Sequence, residues 1–117
     1  MYPDPNKITR IASIGGGPIG SGWTAHFLAR GYDVTCYLHD PVELAAFLTI
    51  LDTAWKSLTA LGLAPGASLD RLTVSHDLAE ALEGAQFIQE SAPESLKMKQ
   101  ALYKTLGEIV PREVVIG

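Results

Sequence analysis

Short apolar runs alternate along this chain with segments whose apolar residues recur every three or four positions, and glycine or proline stands at most of the changeovers. Lys7 to Ile14 predicts a first strand, apolar on both faces as in a parallel sheet. Ile19 to Arg30 predicts a helix with Trp23, Phe27 and Leu28 on one side, closed by Gly31. Asp33 to Leu38, β-branched and aromatic, predicts a second strand. Pro41 opens a long helix, where a missing amide hydrogen is harmless. Leu44, Phe47, Leu48, Leu51, Trp55 and Leu58 mark its stripe and Gly62 its end.

The rest repeats the alternation. Leu72–Ser75 predicts a third strand, and Asp77 to Leu82 a brief helix with Asp77 near its cap. After Gly84, Ala85 to Glu90 is a fourth strand. Pro93 then starts a helix with Leu96, Leu102, Tyr103, Leu106, Ile109 and Val110 as its apolar face, stopped by Pro111. Val114 to Ile116 is a fifth strand. Strands alternating with helices mean βαβ units, so the expected fold is α/β, Rossmann-like, with a doubly wound, mainly parallel sheet.

Length and composition narrow this picture. The 117 residues suit one domain with a sizeable core. Hydrophobic residues make up 47% and charged residues 19%, an apolar excess that suits a face meant for another domain or subunit. A net charge of −4 and no Lys/Arg cluster leave no footprint for nucleic acid or an anionic membrane. No stretch is read as long enough to span a bilayer, and the first seven residues lack an apolar signal core, so a cytoplasmic setting is expected. Cys36, the single cysteine, falls inside the second strand as a small buried hydrophobe and makes no internal disulfide.

The candidate chemistry lies in the first turn. Gly15-Gly16-Gly17-Pro18-Ile19-Gly20 is G-x-G-x-x-G between a buried strand and a helix, the context that gives the motif meaning. Gly15 permits the tight turn, Gly17 lets backbone approach a pyrophosphate, and Gly20 lets the helix pack closely on the sheet. The helix N-terminus then turns its free amides and positive dipole end to the phosphates. The expected ligand is a small-molecule dinucleotide. No Ser/His/Asp set suits nucleophilic catalysis, and no Cys/His cluster has metal spacing. His26, His39 and His76 are scattered and read as surface or cap residues, so no catalytic residue is assigned.

Two separated motifs carry a family resemblance: Ile14 to Trp23, and Phe87-Ile88-Gln89-Glu90-Ser91-Ala92-Pro93-Glu94 with Leu96-Lys97-Met98-Lys99. With them the chain resembles, from about residue 8 to its end, the N-terminal NAD-binding domain of the 3-hydroxyacyl-CoA dehydrogenase family, nearest its carnitine 3-dehydrogenase and lambda-crystallin branch. The resemblance implies that the chain is a truncated portion of a longer, homodimeric dehydrogenase. A Ser/Asn-rich loop, a catalytic His–Glu pair and a helical C-terminal domain would follow. The portion alone would bind cofactor without turnover. The resemblance also places Glu94 and Lys99 near the cofactor. On the residues alone, Glu94 is equally an acid favouring a helix dipole, and Lys99 a solvated helix charge.

One departure from the family pattern concerns the adenosine ribose. The family's usual acid at the end of the second strand is replaced by Leu38, which cannot accept a hydrogen bond; the loss is on the order of 2–4 kcal/mol. On this reading Leu38→Asp should tighten NAD binding. Asp40 either stands in for the acid or caps the helix at Pro41. NAD is the first expectation for the cofactor and NADP the second, because no arginine follows the strand to take a 2′-phosphate. Two other readings share the fingerprint: a non-enzymatic nucleotide-sensing or interaction module, and a flavin or nucleotide-sugar domain.

Overall fold

Arg10–Ile14 forms β1, whose last four residues are all buried, so helices have to cover both of its faces. The computed structural model describes residues 8–91 and the backbone of 115–116. After β1 come α1 (Pro18–Ala29), β2 (Asp33–Tyr37), a 3₁₀ turn (Pro41–Glu43), α2 (Leu44–Leu61), β3 (Leu72–Ser75), α3 (Leu78–Leu82), β4 (Phe87–Glu90) and β5 (Val115–Ile116). The strands stand in the order β3-β2-β1-β4-β5, and every pairing is parallel. The expected doubly wound α/β sheet is therefore present. The chain steps outward from β1 through β2 to β3, then returns to lay β4 on the other flank of β1. That reversal opens a crevice above the carboxyl ends of β1 and β4, where open α/β sheets bind ligands.

Two apolar clusters hold the layers together. On one face Ala25 and Leu28 of α1 meet Val34, Cys36 and Leu38 at β2, with Phe47 and Leu51 of α2. On the other, Ala12, Ile14 and Ile88 pack with Leu82 and Ala85, and Tyr37 and Leu78 lean on them. The α2 stripe is confirmed at Phe47 and Leu51, while Leu48 stays exposed.

The face of α1 differs from expectation. Its buried residues are Gly20, Ser21, Thr24, Ala25, Leu28 and Ala29, so small side chains bring the helix close to β1. Trp23 lies outside this face and stacks on Phe27 at 5.6 Å, and Phe27 meets Phe87 edge-on at 6.2 Å. Apolar periodicity finds bulky residues, whereas close helix–sheet approach selects small ones.

Element ends follow the punctuation. Gly31 and Gly62, with φ of 90° and 106°, leave α1 and α2 through backbone that glycine adopts without strain. Asp77 caps α3 by accepting from the Glu80 amide at 3.1 Å. The expectation about spanning length needs correction: Pro41–Leu61 makes 21 residues of mean hydropathy 1.2, long and apolar enough to cross a membrane. In the structure it lies by one side against α1 and β2, with an exposed Asp52–Lys56 ion pair at 3.2 Å. The helix expected from Pro93 to Val110 lies outside the described residues.

Candidate functional site

The glycine turn sits at the crevice because β1 ends there. The Gly15 amide donates to the Tyr37 carbonyl at 3.0 Å, and the Ser91 amide to the Ile14 carbonyl at 2.8 Å, so the loop emerges between β2 and β4. Gly15 has φ of 113°, which a side chain would strain. Gly20 is glycine for packing, since a Cβ there would collide with the Gly15 carbonyl. Gly16 lies over the core, where a Cβ would come within 2.5 Å of Leu38 Cδ2.

Gly17 is different in kind. Its backbone is extended (φ −73°, ψ −177°), which any residue adopts, and a Cβ there would meet no atom of the described residues within 4 Å. Nothing among the described residues requires a glycine at this position. The space that a side chain would fill lies directly before the first turn of α1.

That turn has the electrostatics of an anion site. Gly17 is its N-cap, without a side-chain cap bond, Pro18 follows at the first helical position, and no acid occupies the first turn. The first intrahelical bond runs from the Ser21 amide to the Gly17 carbonyl at 2.8 Å. The amides of Ile19 and Gly20 precede it, where a helix has no acceptor of its own to offer. The dipole adds a partial positive charge at this end. Pro18 and Ile19 are exposed beside it. The chain therefore fits a diphosphate on geometry and charge alike.

Buried hydroxyls hold the cradle in shape. Ser21 Oγ donates to the Gly16 carbonyl at 3.0 Å, and Thr24 Oγ1 donates to Ser13 Oγ at 2.9 Å, joining α1 to β1. Sequence reasoning missed all three residues. A hydroxyl one position past the last glycine was the available signal, since it sits where the loop's orphan carbonyls turn back. Cys36 lies behind them, its Sγ 3.9 Å from the Gly15 carbonyl. Burial pushes its thiol up to about 12, Glu43 adds to the rise, and the Thr24 and Ser13 hydroxyls oppose it. It is a neutral core residue.

The end of β2 corrects the reading of Leu38. Its backbone continues the strand, with the Leu38 amide donating to the Ser75 carbonyl at 3.0 Å, but its side chain is fully buried with Phe47 beneath Gly16. Strand alternation puts it on the core side with Val34 and Cys36, so its side chain is spent on packing and offers no polar group to a ligand. Asp40 is a cap: Oδ1 accepts from the Val42 amide at 3.0 Å, and Glu43 Oε2 accepts from the Asp40 amide at 3.1 Å. Tyr37 and His39 alternate to the other side, and the Tyr37 hydroxyl lies 3.0 Å from His39 Nδ1. Burial, then Asp77 and Glu43, raise the pKa of Tyr37 above 10.0, which keeps its proton available. Glu94 and Lys99 lie outside the described residues. Among the described residues no group of histidine, cysteine and carboxylate side chains could hold a metal.

A parallel sheet that reverses at β1, with a glycine cradle opening on a helix N-terminus, defines a dinucleotide-binding domain of the Rossmann class. Residues 10–117 match the family described as 3-hydroxyacyl-CoA dehydrogenase, NAD binding domain, and the chain belongs to that family. The L-carnitine dehydrogenase of Streptomyces coelicolor is 48% identical over 113 residues, which are 97% of this chain and 36% of that protein. The L-carnitine dehydrogenase of Pseudomonas aeruginosa is 40% identical over 111 residues, 95% of this chain and 35% of that protein. Among solved structures, an NAD-dependent 5-formyl-3-hydroxy-2-methylpyridine-4-carboxylic acid 5-dehydrogenase superposes with a TM-score of 0.81 at 32% identity, over 93% of this chain and 36% of that one. The 3-hydroxybutyryl-CoA dehydrogenase of Escherichia coli gives 0.79 at 26% identity, over 94% and 24%. The chain thus spans about a third of the length of the curated relatives it matches. It is an NAD-binding domain of that family.

Proposed function

We propose that this chain is the cofactor-holding portion of a longer NAD-dependent dehydrogenase that oxidises a carnitine-like 3-hydroxy acid. The observation that carries the cofactor half is Gly17, a glycine that no described residue requires by packing, before a helix with no side-chain cap bond. Gly15, Gly16, Gly17, Pro18, Ile19 and Gly20 form the diphosphate cradle. NAD held there would supply the hydride acceptor for the carbinol carbon of the substrate. The chain's own part is to fix the diphosphate on backbone amides and so orient the ring. Glu94 and Lys99 belong to the proposal through the family resemblance alone, as does a homodimer for the longer enzyme. The substrate half rests on the L-carnitine dehydrogenases at 48% and 40% identity.

Titration with NADH tests the first half: nicotinamide emission rises, tryptophan emission falls, and Gly17→Val loses both responses. No response at about millimolar NADH overturns it. For the second half, the chain is joined to the remaining two thirds of the Streptomyces coelicolor relative. That chimera is expected to turn over L-carnitine with NAD, which shows that this chain serves as the cofactor half of a carnitine enzyme; a chimera that folds and binds NADH but gives no turnover overturns that role.

A further inference from the structure

We propose that the outer side of α1 is the seat of an amphipathic, acid-bearing helix from the other part of the longer enzyme, and that Gly22 is the notch that receives it. The inference rests on the reading of this chain as one portion of that enzyme. Ile19, Trp23, His26 and Arg30 are all exposed and recur at helical spacing, so they form one ridge on α1. Ile19 is 72% and Trp23 42% exposed, and with Pro18, Gly22 and His26 they line a shallow hollow. Large apolar side chains gathered in one place on a surface mark a contact with another body.

Gly22 sits in that hollow with no packing reason among the described residues. It lies inside α1, where glycine weakens a helix, and a Cβ there would meet no atom of those residues within 4 Å. Gly20, two positions earlier, is by contrast needed against the Gly15 carbonyl. A missing side chain beside exposed Ile19 and Trp23 leaves a groove into which a neighbouring helix sets a ridge of its own. The cofactor is not that neighbour. With its diphosphate before the first turn, Trp23 and His26 lie roughly 8 and 12 Å farther along the helix axis than Pro18.

Size, chain direction and charge identify the occupant. About two thirds of each curated relative lies outside the part that this chain matches, which leaves a large body to be seated on this domain. β5 runs parallel to β4, and β4 to β1, so whatever follows β5 emerges at the carboxyl ends of the strands, the end at which α1 begins. No acid occurs from Gly15 to Tyr32, and Arg30 is exposed with no ion pair among the described residues. A helix that lays apolar residues over Ile19 and Trp23 and a carboxylate against Arg30 answers both ends of the ridge.

The test places His26→Cys in the 117-residue chain and in its chimera with the remaining two thirds of the Streptomyces coelicolor relative. Labelling by a maleimide is followed by mass at the α1 peptide, without cofactor. The chimera is expected to label at least about tenfold more slowly than the chain. Adding Gly22→Gln or Arg30→Glu should bring the chimera's rate several-fold back toward that of the chain. In the 117-residue chain Gly22→Gln should leave NADH binding unchanged and hold or raise the melting temperature, since glutamine is the better helix former. Rates equal within about twofold in chain and chimera overturn the inference, because the face is then open in both or covered from within. A Gly22→Gln chimera labelled as slowly as its parent overturns the notch. A chain that sediments as a dimer, and as a monomer with Gly22→Gln, overturns the occupant in favour of a second copy. Should the chimera not fold, the Pseudomonas aeruginosa relative supplies the other two thirds. An unaltered chain without an NADH response overturns the cofactor reading instead, a separate failure, since the labelling rates are read without cofactor.

Discussion

Gly17 and Gly20 share a residue type and a motif, but they are glycines for opposite reasons. A Cβ at Gly20 strikes the Gly15 carbonyl, so Gly20→Ala has to push α1 off β1. Its expected cost is about 1–3 kcal/mol of stability, read as a fall in denaturant midpoint. A Cβ at Gly17 meets no described atom, so Gly17→Val should lower the midpoint only by what a poorer N-cap costs, about 1 kcal/mol or less, while NADH binding disappears. A loss well beyond that capping cost, with NADH binding retained, would show that Gly17 serves packing. Leu38→Asp reverses the expectation formed from the family pattern. Leu38 is sealed against Phe47, so a carboxylate there is an unpaired buried charge. It should unfold much of the population in circular dichroism, and tighter NAD binding would contradict this placement.

At the scale of elements, the cradle depends on how α1 and α2 are seated. Small residues set α1 against β1, and the Thr24–Ser13 and Ser21–Gly16 hydrogen bonds fix its rotation and the loop it caps. Phe47 fixes α2, fully buried among Leu28, Leu38 and Leu51. Phe47→Ala leaves a cavity directly beneath Leu38 and Gly16, at a cost of about 3–5 kcal/mol in urea unfolding. Because Leu38 then has room to sink, NADH affinity should fall in the population that remains folded. Stability lost with affinity intact would uncouple the cradle from α2.

The whole molecule carries an alkaline liability through Cys36. Its thiol is pushed up to about 12 in the fold against 9.0 when free, so the folded chain holds the proton more tightly. That contribution is fully present below pH 9 and drains away as pH rises toward 12, where the unfolded chain ionises and the folded one does not. Thermal melts should therefore fall over that window, and Cys36→Ala should flatten part of the slope. Tyr37, raised above its ordinary 10.0, contributes in the same direction. A thiol reagent should react with Cys36 only at the rate of unfolding; rapid labelling at neutral pH would refute its burial.

The order of strands and helices, the glycine turn and most caps were determined by the sequence itself. Period-two and period-3.6 patterns, and the positive φ that glycine alone takes freely, are local properties of a chain. Membership of the NAD-binding family was legible as well, from two motifs that the matched relatives bear out. What only the tertiary structure decided was which residues face what. Neither the buried face of α1, nor the sinking of Leu38, nor the turning of Asp40 onto its own helix follows from spacing. A side chain one position along a strand points to the opposite face, and a carboxylate bonds to the nearest free amide. Both depend on where neighbouring elements come to rest, and distance along the chain does not encode that.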